Sequence, residues 1–423
     1  MNSAHPSLLG LKRSFGFGDR LGLATPGHMD AVKGTPFAPV FAQQSMRELA
    51  RTRRRPEDVM NAAVNAVKEE EWDGDWGADA DHLQTEDDVR RMAGAGFTFF
   101  TIDPSEWVNN PADSMGEESL VNAFCHMVDR GVLNEEEVFD HYLGRKITVD
   151  EGVSFTFRDR VELLRAAVKY GGALHHARRM YGWIEEACGD RLFEVEISVD
   201  ETETPTSPLE HLFIGLELKR LGVKVVSLAP RFIGDFEKGI DYRGDLATFE
   251  DHYAKHAAIA RACGPYKLSI HSGSDKFSLY PVIGRMSGDL LHVKTAGTSY
   301  LEGLRVVCRT DRALFREIVA FCRTRYETDR ATYHVSAVTG DVPDLIPDEE
   351  LEAWYLENDS GRQILHVTFG SVLSGGLSTD GVPFQEKILA NLTDHAGLYR
   401  EVLREHLGKH LRLLYGARTK SAE

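Results

Sequence analysis

Residues 193–222 form the stretch FEVEISVDETETPTSPLEHLFIGLELKRLG, which decides the fold. It opens with a short run typical of a buried strand and continues into a polar loop that ends at Ser207 and Pro208. Serine is a favoured helix N-cap and proline a favoured first helical residue, so we expect a helix to begin at Pro208. The apolar residues that follow recur at i, i+3 and i+4 until Gly222. The stretch is therefore a strand followed by an amphipathic helix.

Short apolar runs of this kind recur along the chain, and each ends in polar or glycine-rich residues. Runs this short fit buried parallel strands better than amphipathic edge strands. The candidate strands are residues 13–17, 76–81, 97–102, 193–199, 224–229, 266–270, 290–295 and 332–335. Between several of them lie segments with helical spacing, such as TFEDHYAKHAAIARACG. Eight strands alternating with helices predict an α/β protein with a (β/α)8, TIM-type barrel.

The third and fourth predicted strands are separated by residues 104–191, which show helical patterns and no convincing buried strand. We interpret this segment as a helical insertion beside the barrel. Barrels of this type often exceed about 250 residues as one domain. The sequence therefore predicts a single (β/α)8 domain over residues 1–423.

The composition is that of an ordinary globular protein, with 42% hydrophobic and 27% charged residues among 423. The formal net charge of -17 repels phosphate backbones and anionic lipid, so nucleic acid and membranes are not expected partners. Five scattered cysteines without a CxxC motif favour a reducing compartment. No apolar run approaches the length of a membrane span. We expect a cytoplasmic protein, and a homo-oligomer is compatible with these features.

Polar residues at the ends of two predicted strands could carry chemistry. Asp81 and His82 are adjacent at the end of the second run, an arrangement that suits a base beside a metal ligand. Because they are neighbours, at most one is expected to point fully into the barrel mouth. Glu196 lies inside an apolar strand, where a carboxylate is costly unless it is paired, metal-bound or protonated. It is a candidate acid or base with a raised pKa, or else a structural partner of a lysine across the barrel.

Further candidates lie in the loops after the fifth and sixth predicted strands and within the seventh. These residues are Arg231, Asp235, Glu237 and Lys238, then His271, Ser272 and Lys276, and finally Lys294. The string GFGDRLG is not a dinucleotide-binding fingerprint, because Leu21 stands where GxGxxG needs its last glycine. No P-loop, GxSxG or HExxH motif is present either. Histidines and carboxylates on several strand ends favour a divalent metal site with acid–base groups around it. Zn, Mn, Ni, Co and Fe all suit such ligands.

Several strings of this sequence, in order, resemble the tagaturonate epimerases of hexuronate catabolism. They are LKRSFGFGDRLGLATPGH, DADHLQT, GFTFFTIDPS, VDETETPTSPLEH, APRFIGDFEKGIDY, SIHSGSDKFSLYP and HVKTAGTSYLE. The resemblance extends from about residue 11 to about residue 373. It implies a metal-dependent isomerase that interconverts D-tagaturonate and D-fructuronate, in a family whose relatives also act on neutral ketoses such as tagatose and fructose.

The same resemblance implies roles for particular residues. Asp81 and Glu196 would be the acid–base pair, and His82, Glu237 and His271 the metal ligands, with Asp235 as an alternative to Glu237. Inversion at C4 by retro-aldol cleavage and recombination would use such a set.

The substrate carboxylate would need a cation in this acidic chain, for which Lys276, Lys294 and Arg231 are candidates. Two other functions use the same residues. One is a metal-dependent aldolase or sugar isomerase, and the other is a sugar-binding barrel without catalysis.

Overall fold

The structure is a computed structural model that describes residues 5–416. Its ten strands are β1 (Ser14–Phe17), β2 (Ala38–Ser45), β3 (Gly77–Leu83), β4 (Phe99–Ile102), β5 (Ile147–Asp150), β6 (Val153–Phe155), β7 (Glu194–Val199), β8 (Ser227–Pro230), β9 (Lys267–Ile270) and β10 (Leu291–Thr295). All except β5 and β6 form a closed barrel in which every pairing is parallel and β10 pairs with β1. The predicted (β/α)8 barrel is confirmed.

One barrel strand was missed by the sequence analysis, and one predicted strand is wrong. Strand β2 contains Pro39 and ends in the polar residues Gln43, Gln44 and Ser45, a composition that is not typical of a buried central strand. It leads directly into a helix, whose first turn is capped by the Ser45 hydroxyl. Residues 332–335 instead end a 3-10 turn and continue as irregular chain, although their alternation of polar and apolar residues resembles a strand.

Sixteen α-helices accompany these strands in the described part of the chain. They are α1 (Thr25–Val32), α2 (Met46–Thr52), α3 (Pro56–Glu69), α4 (Glu86–Gly94), α5 (Glu117–Asp129), α6 (Glu135–Tyr142), α7 (Arg160–Cys188), α8 (Pro208–Arg220), α9 (Leu246–Cys263), α10 (Tyr280–Ser287), α11 (Thr298–Thr310), α12 (Arg312–Asp329), α13 (Asp359–Val367), α14 (Phe369–Gly375), α15 (Phe384–Asp394) and α16 (Ala396–Gly416). Short 3-10 turns span Ser105–Trp107, Asn110–Ser114, Arg330–Thr332, Thr339–Asp341 and Asp348–Glu350, and a π-helical turn spans Ala353–Glu357. None of the helices within residues 5–416 is both long and apolar enough to cross a membrane.

Helix α8 begins where the sequence predicts. The Ser207 hydroxyl accepts a hydrogen bond from the Glu210 N–H at 3.2 Å, and the Glu210 carboxylate accepts one from the Ser207 N–H at 2.7 Å. This reciprocal capping box satisfies two backbone donors that the first helical turn leaves without partners. The chain then leaves the helix through Gly222, which has a φ of +72° that glycine adopts without steric cost.

The segment between β4 and β7 contains α5, α6 and the 29-residue helix α7. It also contains the antiparallel hairpin β5–β6, whose half-exposed residues give no buried-strand signal. Helix α7 packs against both α4 and α8 on the outside of the barrel. We propose, because of this packing, that the segment and the barrel form one domain.

Candidate active site

An irregularity in β3 brings two adjacent side chains to the same site. The pairing of β3 with β4 changes register between Ala80 and Leu83, and His82 has a φ of +54°. A left-handed conformation is uncommon for a residue with a Cβ and concentrates at functional sites. It lets Asp81 and His82 both reach the carboxyl end of the barrel, with the Asp81 Oδ1 and His82 Nε2 atoms 3.9 Å apart. The expectation that only one of them points into the mouth is therefore wrong.

The two imidazoles predicted as metal ligands lie edge to face, with ring centroids 5.0 Å apart. The His82 Nε2 and His271 Nδ1 atoms are separated by 3.2 Å. The other nitrogen of each ring is held by a carboxylate: Asp103 lies 3.2 Å from His82 Nδ1, and Glu196 lies 2.5 Å from His271 Nε2. Each ring is thus oriented by a carboxylate, and its remaining nitrogen lies next to that of the other ring, with Asp200 also 3.3 Å from His271 Nδ1.

Lys294 lies at the centre of the carboxylates in the barrel interior. Its Nζ atom is 2.8 Å from Asp79, 2.7 Å from Asp81 and 2.8 Å from Glu196. It also donates to the Thr101 hydroxyl at 2.7 Å. The ammonium is buried and surrounded by these groups, so its charge is already balanced by protein carboxylates. The structure therefore contains the lysine across the barrel that the sequence left as an alternative partner for Glu196.

These contacts determine the ionisation of the buried carboxyl groups. Burial raises the pKa of Glu196, but the charges of Lys294 and His271 outweigh it and hold that pKa well below its usual range. The raised pKa expected for Glu196 is therefore wrong. Burial raises the pKa of Asp79 above its usual value despite the opposing charge of Lys294. Asp79 is thus the carboxyl group of this cluster that most readily holds a proton.

The histidines respond in the opposite direction from ordinary buried imidazoles. Burial alone would lower the pKa of His82, but the charges of Asp81, Asp103 and Asp200 raise it to about 10. Burial and Lys294 lower the pKa of His271, and Asp200 and Glu196 together raise it to about 9. The carboxylates around the two rings therefore stabilise positive charge at this site.

The side chains present fit a divalent cation. Asp81, His82 and His271 each offer one ligand atom, and the three atoms lie within 4.8 Å of one another. Two nitrogens bound to one tetrahedral zinc ion lie about 3.4 Å apart, close to the separation seen here. Imidazoles held from behind by carboxylates are also the usual arrangement around protein metals. The donor types, their spacing and the surplus negative charge all suit such an ion.

Glu237, the third predicted ligand, lies apart from this group. Its carboxylate accepts hydrogen bonds from the Ser336 N–H and hydroxyl, both at 2.8 Å, and from the Gln363 amide at 2.6 Å. Arg243 is 3.5 Å away. Asp235, the alternative, pairs through its backbone with Arg243 and has a half-exposed carboxylate. In this conformation the structure brings Asp81, rather than either of these, to the two imidazoles.

The three cations predicted to bind substrate occupy different positions. Lys294 is enclosed by carboxylates, as described above. Lys276 is fully buried, and its Nζ atom donates to the carbonyls of Glu237, Ile240 and Ser274. Arg231 donates to the carbonyl of Thr202 and lines the mouth. Of the three, Arg231 and Lys294 line the cavities at the mouth, and Lys276 lines neither.

Two adjoining cavities of about 270 and 130 Å³ open at the carboxyl ends of the strands. Both are lined by Arg47, Asp200, Glu201, Lys238, His271 and Tyr333. The smaller one also reaches Asp81, His82 and Lys294. A small polar molecule can therefore reach the imidazole pair from the solvent.

Some residues of this site were not identified from the sequence. Asp103 directly follows a buried strand, a signal that could have revealed it. Asp79 and Thr101 lie inside strands and become recognisable only when the barrel closes around Lys294. Gln43 lines the smaller cavity from β2, the strand that was missed.

Fold and site together define a class of protein: a (β/α)8-barrel enzyme with carboxylates and imidazoles gathered at the carboxyl ends of its strands. The chain belongs to the tagaturonate epimerase family (UxaE), whose model matches residues 1–414. The family expected from the sequence strings is confirmed, and with it an enzyme of the isomerase class.

Individual relatives agree with this membership. The chain is 43% identical to the tagaturonate/fructuronate epimerase of Thermotoga maritima over 414 residues, covering 97% of this chain and 82% of that protein. It is similar to crystal structures of the fructuronate-tagaturonate epimerase of Cohnella laeviribosi, one native and one with glycerol. Each comparison gives a TM-score of 0.91 with 39% sequence identity. The matched region covers 97% of this chain and 83% of the Cohnella laeviribosi chain.

Proposed function

We propose that the protein interconverts D-tagaturonate and D-fructuronate by inverting C4, with a divalent cation held by His82 and His271. The observation that carries this proposal is the pair of imidazole nitrogens, 3.2 Å apart, beside the Asp81–Lys294–Glu196 cluster in a member of this family. One carboxylate oxygen of Asp81 lies within 4.8 Å of a ring nitrogen of each imidazole. Glu237 stays a predicted ligand that would have to leave its present partners.

The chemistry follows from the position of C4, which is two carbons from the C2 ketone in ketose numbering. Enolisation inverts only carbons adjacent to a carbonyl, so it cannot invert C4. Cleavage of C3–C4 can, because C4 becomes a planar aldehyde carbon and the C2–C3 unit becomes an enediolate. A cation at this site would supply a Lewis acid for the charge that develops at the C2 and C3 oxygens.

Glu196 is suited to take the proton from the C4 hydroxyl. Its carboxylate is ionised, and its Oε2 atom has no hydrogen-bond partner among residues 5–416. The O–H electrons then form the C4 carbonyl, and the C3–C4 electrons move to C3. After rotation about C4–C5, C3 attacks the other face of C4 and the C4 oxygen regains a proton.

Lys294 can connect the two acid–base groups. Its Nζ atom lies 2.7 Å from Asp81 and 2.8 Å from Glu196, so a proton accepted on one carboxylate can be exchanged with the other. We propose that Asp81 and Glu196 serve opposite faces of C4, as the inversion requires.

The activity is tested by incubating tagaturonate, fructuronate, tagatose and fructose with the protein after chelation and after metal add-back. We expect ketouronate interconversion that disappears on chelation and returns with the metal. Full activity of the metal-free protein would contradict the metal, and no ketouronate turnover would contradict the function.

The carbon–carbon cleavage is tested with substrate deuterated at C4, which should keep its label. Loss of deuterium to the solvent would contradict the mechanism, because cleavage leaves the C4–H bond intact. Release of a three-carbon ketone and a three-carbon aldehyde acid as main products would indicate an aldolase instead.

We also propose that the protein works in the cytoplasm. The support is the set of five free cysteines, of which only Cys125 is exposed. Mass spectrometry of the protein isolated from its own cells, without added reductant, should find all five as thiols.

A further inference from the structure

A ketouronate faces a charge problem at this site. Its carboxylate must approach Asp81, Asp103, Glu196 and Asp200 in a chain with a net charge of -17. Recognition of the anion therefore requires a positive side chain at the mouth that is not already neutralised. This inference rests on the proposed function, since it concerns the substrate of the same site.

Most cations at the mouth are already engaged. Arg20 pairs with Glu48 at 2.7 Å, and Arg47 pairs with Glu201 at 3.0 Å. Arg51 donates to the hydroxyls of Tyr333 and Thr332, and its guanidinium lies over the Tyr333 ring. Each of these side chains therefore already has its geometry fixed by protein partners.

Lys276 is excluded by its hydrogen bonds. An ammonium group has three N–H donors, and Lys276 directs them at three backbone carbonyls at 2.8, 2.5 and 3.0 Å. The group is fully buried, so a carboxylate has no approach to it. Two of those carbonyls belong to Glu237 and Ile240, which lie on either side of Lys238 in the loop after β8.

Lys238 differs from Arg20 and Arg47 in its partners. Its Nζ atom donates to the Ser272 hydroxyl at 2.9 Å, and no carboxylate lies within ion-pair distance in the described part of the chain. Ser272 directly follows His271, and Lys238 lines the same two cavities as His271. By contrast, Arg51 lines only the smaller cavity and Arg231 only the larger.

The backbone on either side of Lys238 is fixed in place. Lys276 holds the carbonyls of Glu237 and Ile240, and the Arg362 Nε atom donates to the Gly239 carbonyl at 2.8 Å. Gly239 has a φ of +74°, which turns the chain there at no steric cost. The loop therefore presents a preorganised, unneutralised charge to the cavity.

We propose that Lys238, assisted by the Ser272 hydroxyl, binds the carboxylate of the substrate. The contact selects ketouronates over neutral ketoses, which would leave the ammonium without an anionic partner. Lys276 and Arg362 then act as positioning residues for the loop rather than as ligands of the substrate.

The test compares binding of D-galactonate and galactitol, which share a carbon chain and differ only in the terminal carboxylate. Calorimetry on the metal-loaded protein should show a preference for galactonate. Lys238→Met should weaken galactonate by about 10- to 150-fold, the range of one charge-assisted hydrogen bond. It should leave galactitol within about 3-fold, because a neutral polyol loses no ionic contact.

Two further variants keep the result interpretable. Lys238→Arg should recover part of the preference, and Lys255→Met, which removes a half-exposed lysine on α9, should change neither affinity. Melting temperatures identify variants that fail to fold.

An unchanged preference in Lys238→Met, an equal loss for both probes, or a native protein without any preference would overturn the assignment. None of these outcomes depends on turnover. The function fails separately, if the native protein does not interconvert the ketouronates.

Discussion

At the scale of single residues, the charge of Glu196 should matter for turnover and not for folding. We expect Glu196→Gln to lower kcat by about 10²- to 10⁴-fold, the usual contribution of a general base. Lys294 keeps Asp79 and Asp81 as partners in this variant, so the melting temperature should change little. Steady-state kinetics and thermal unfolding measure the two effects.

A matched control lies on the same strand. Glu194 is also buried, but its carboxylate accepts a hydrogen bond from the Gly10 N–H instead of contacting the imidazoles. Glu194→Gln should retain activity. A Glu196→Gln variant as active as the native protein would remove Glu196 from the mechanism.

Metal affinity should depend on the two imidazoles more than on Glu237. We expect His82→Gln and His271→Gln each to weaken Zn²⁺ or Mn²⁺ binding by at least about 100-fold, since each removes a proposed nitrogen ligand. Asp81→Asn should weaken it by more than Glu237→Gln, because only Asp81 lies with the imidazoles. Calorimetric titration with the metal measures the affinity of each of the four variants. The reverse order for the two carboxylates would mean that Glu237 moves to the metal.

At the scale of secondary-structure elements, the irregular end of β3 sets the position of His82. A φ of +54° favours Gly or Asn and opposes β-branched residues. His82→Val should therefore be less stable than His82→Asn by about 1–3 kcal/mol in denaturant unfolding, the usual cost of such a backbone conformation. The same two substitutions at Gln84, which lacks a positive φ, give the reference difference. Equal differences at both positions would contradict the strain argument.

The same strand shows what sequence patterns can and cannot predict. Short apolar runs located β3, β7 and β9, because parallel barrel strands are buried on both sides. The strict alternation of side chains placed Asp81 and His82 on opposite faces, and only the register shift in the structure brings them together. Strand β2 escaped detection because it contains Pro39 and because its last residues, Gln43, Gln44 and Ser45, are polar although they are buried.

Contacts between distant strands explain why the site differs from what the sequence predicts. The sequence shows Glu196 as a carboxylate in an apolar run, for which burial alone would raise the pKa. Lys294 lies almost one hundred residues further along the chain and reaches Glu196 only through barrel closure, so the direction reverses. Contacts between distant strands determine the chemistry of this site, whereas local pattern determines which strands exist.

At the scale of the whole molecule, several buried neutral histidines should make the fold sensitive to acid. Burial lowers the pKa of His28 to about 4 against the small opposing effect of Asp19, and burial lowers that of His211 to about 3 with the help of His252. The unfolded chain protonates such rings near pH 6.5, so it binds more protons than the folded protein between these values. The free energy of unfolding contributed by these groups is therefore complete above about pH 6.5 and falls as the pH decreases towards 4.

His28 allows this effect to be isolated. Its ring stacks on Phe17 and hydrogen-bonds to the Ser299 hydroxyl at 2.8 Å, away from the imidazole pair. From the shift to about 4, its share of the loss between pH 7 and pH 5 is about 2 kcal/mol. His28→Gln should reduce the difference between the unfolding free energies at the two pH values by about that amount, as measured by urea denaturation. His126→Gln, on the surface of α5, should leave the difference unchanged. If His28→Gln behaves like His126→Gln, the acid sensitivity of the fold has another origin than the buried rings.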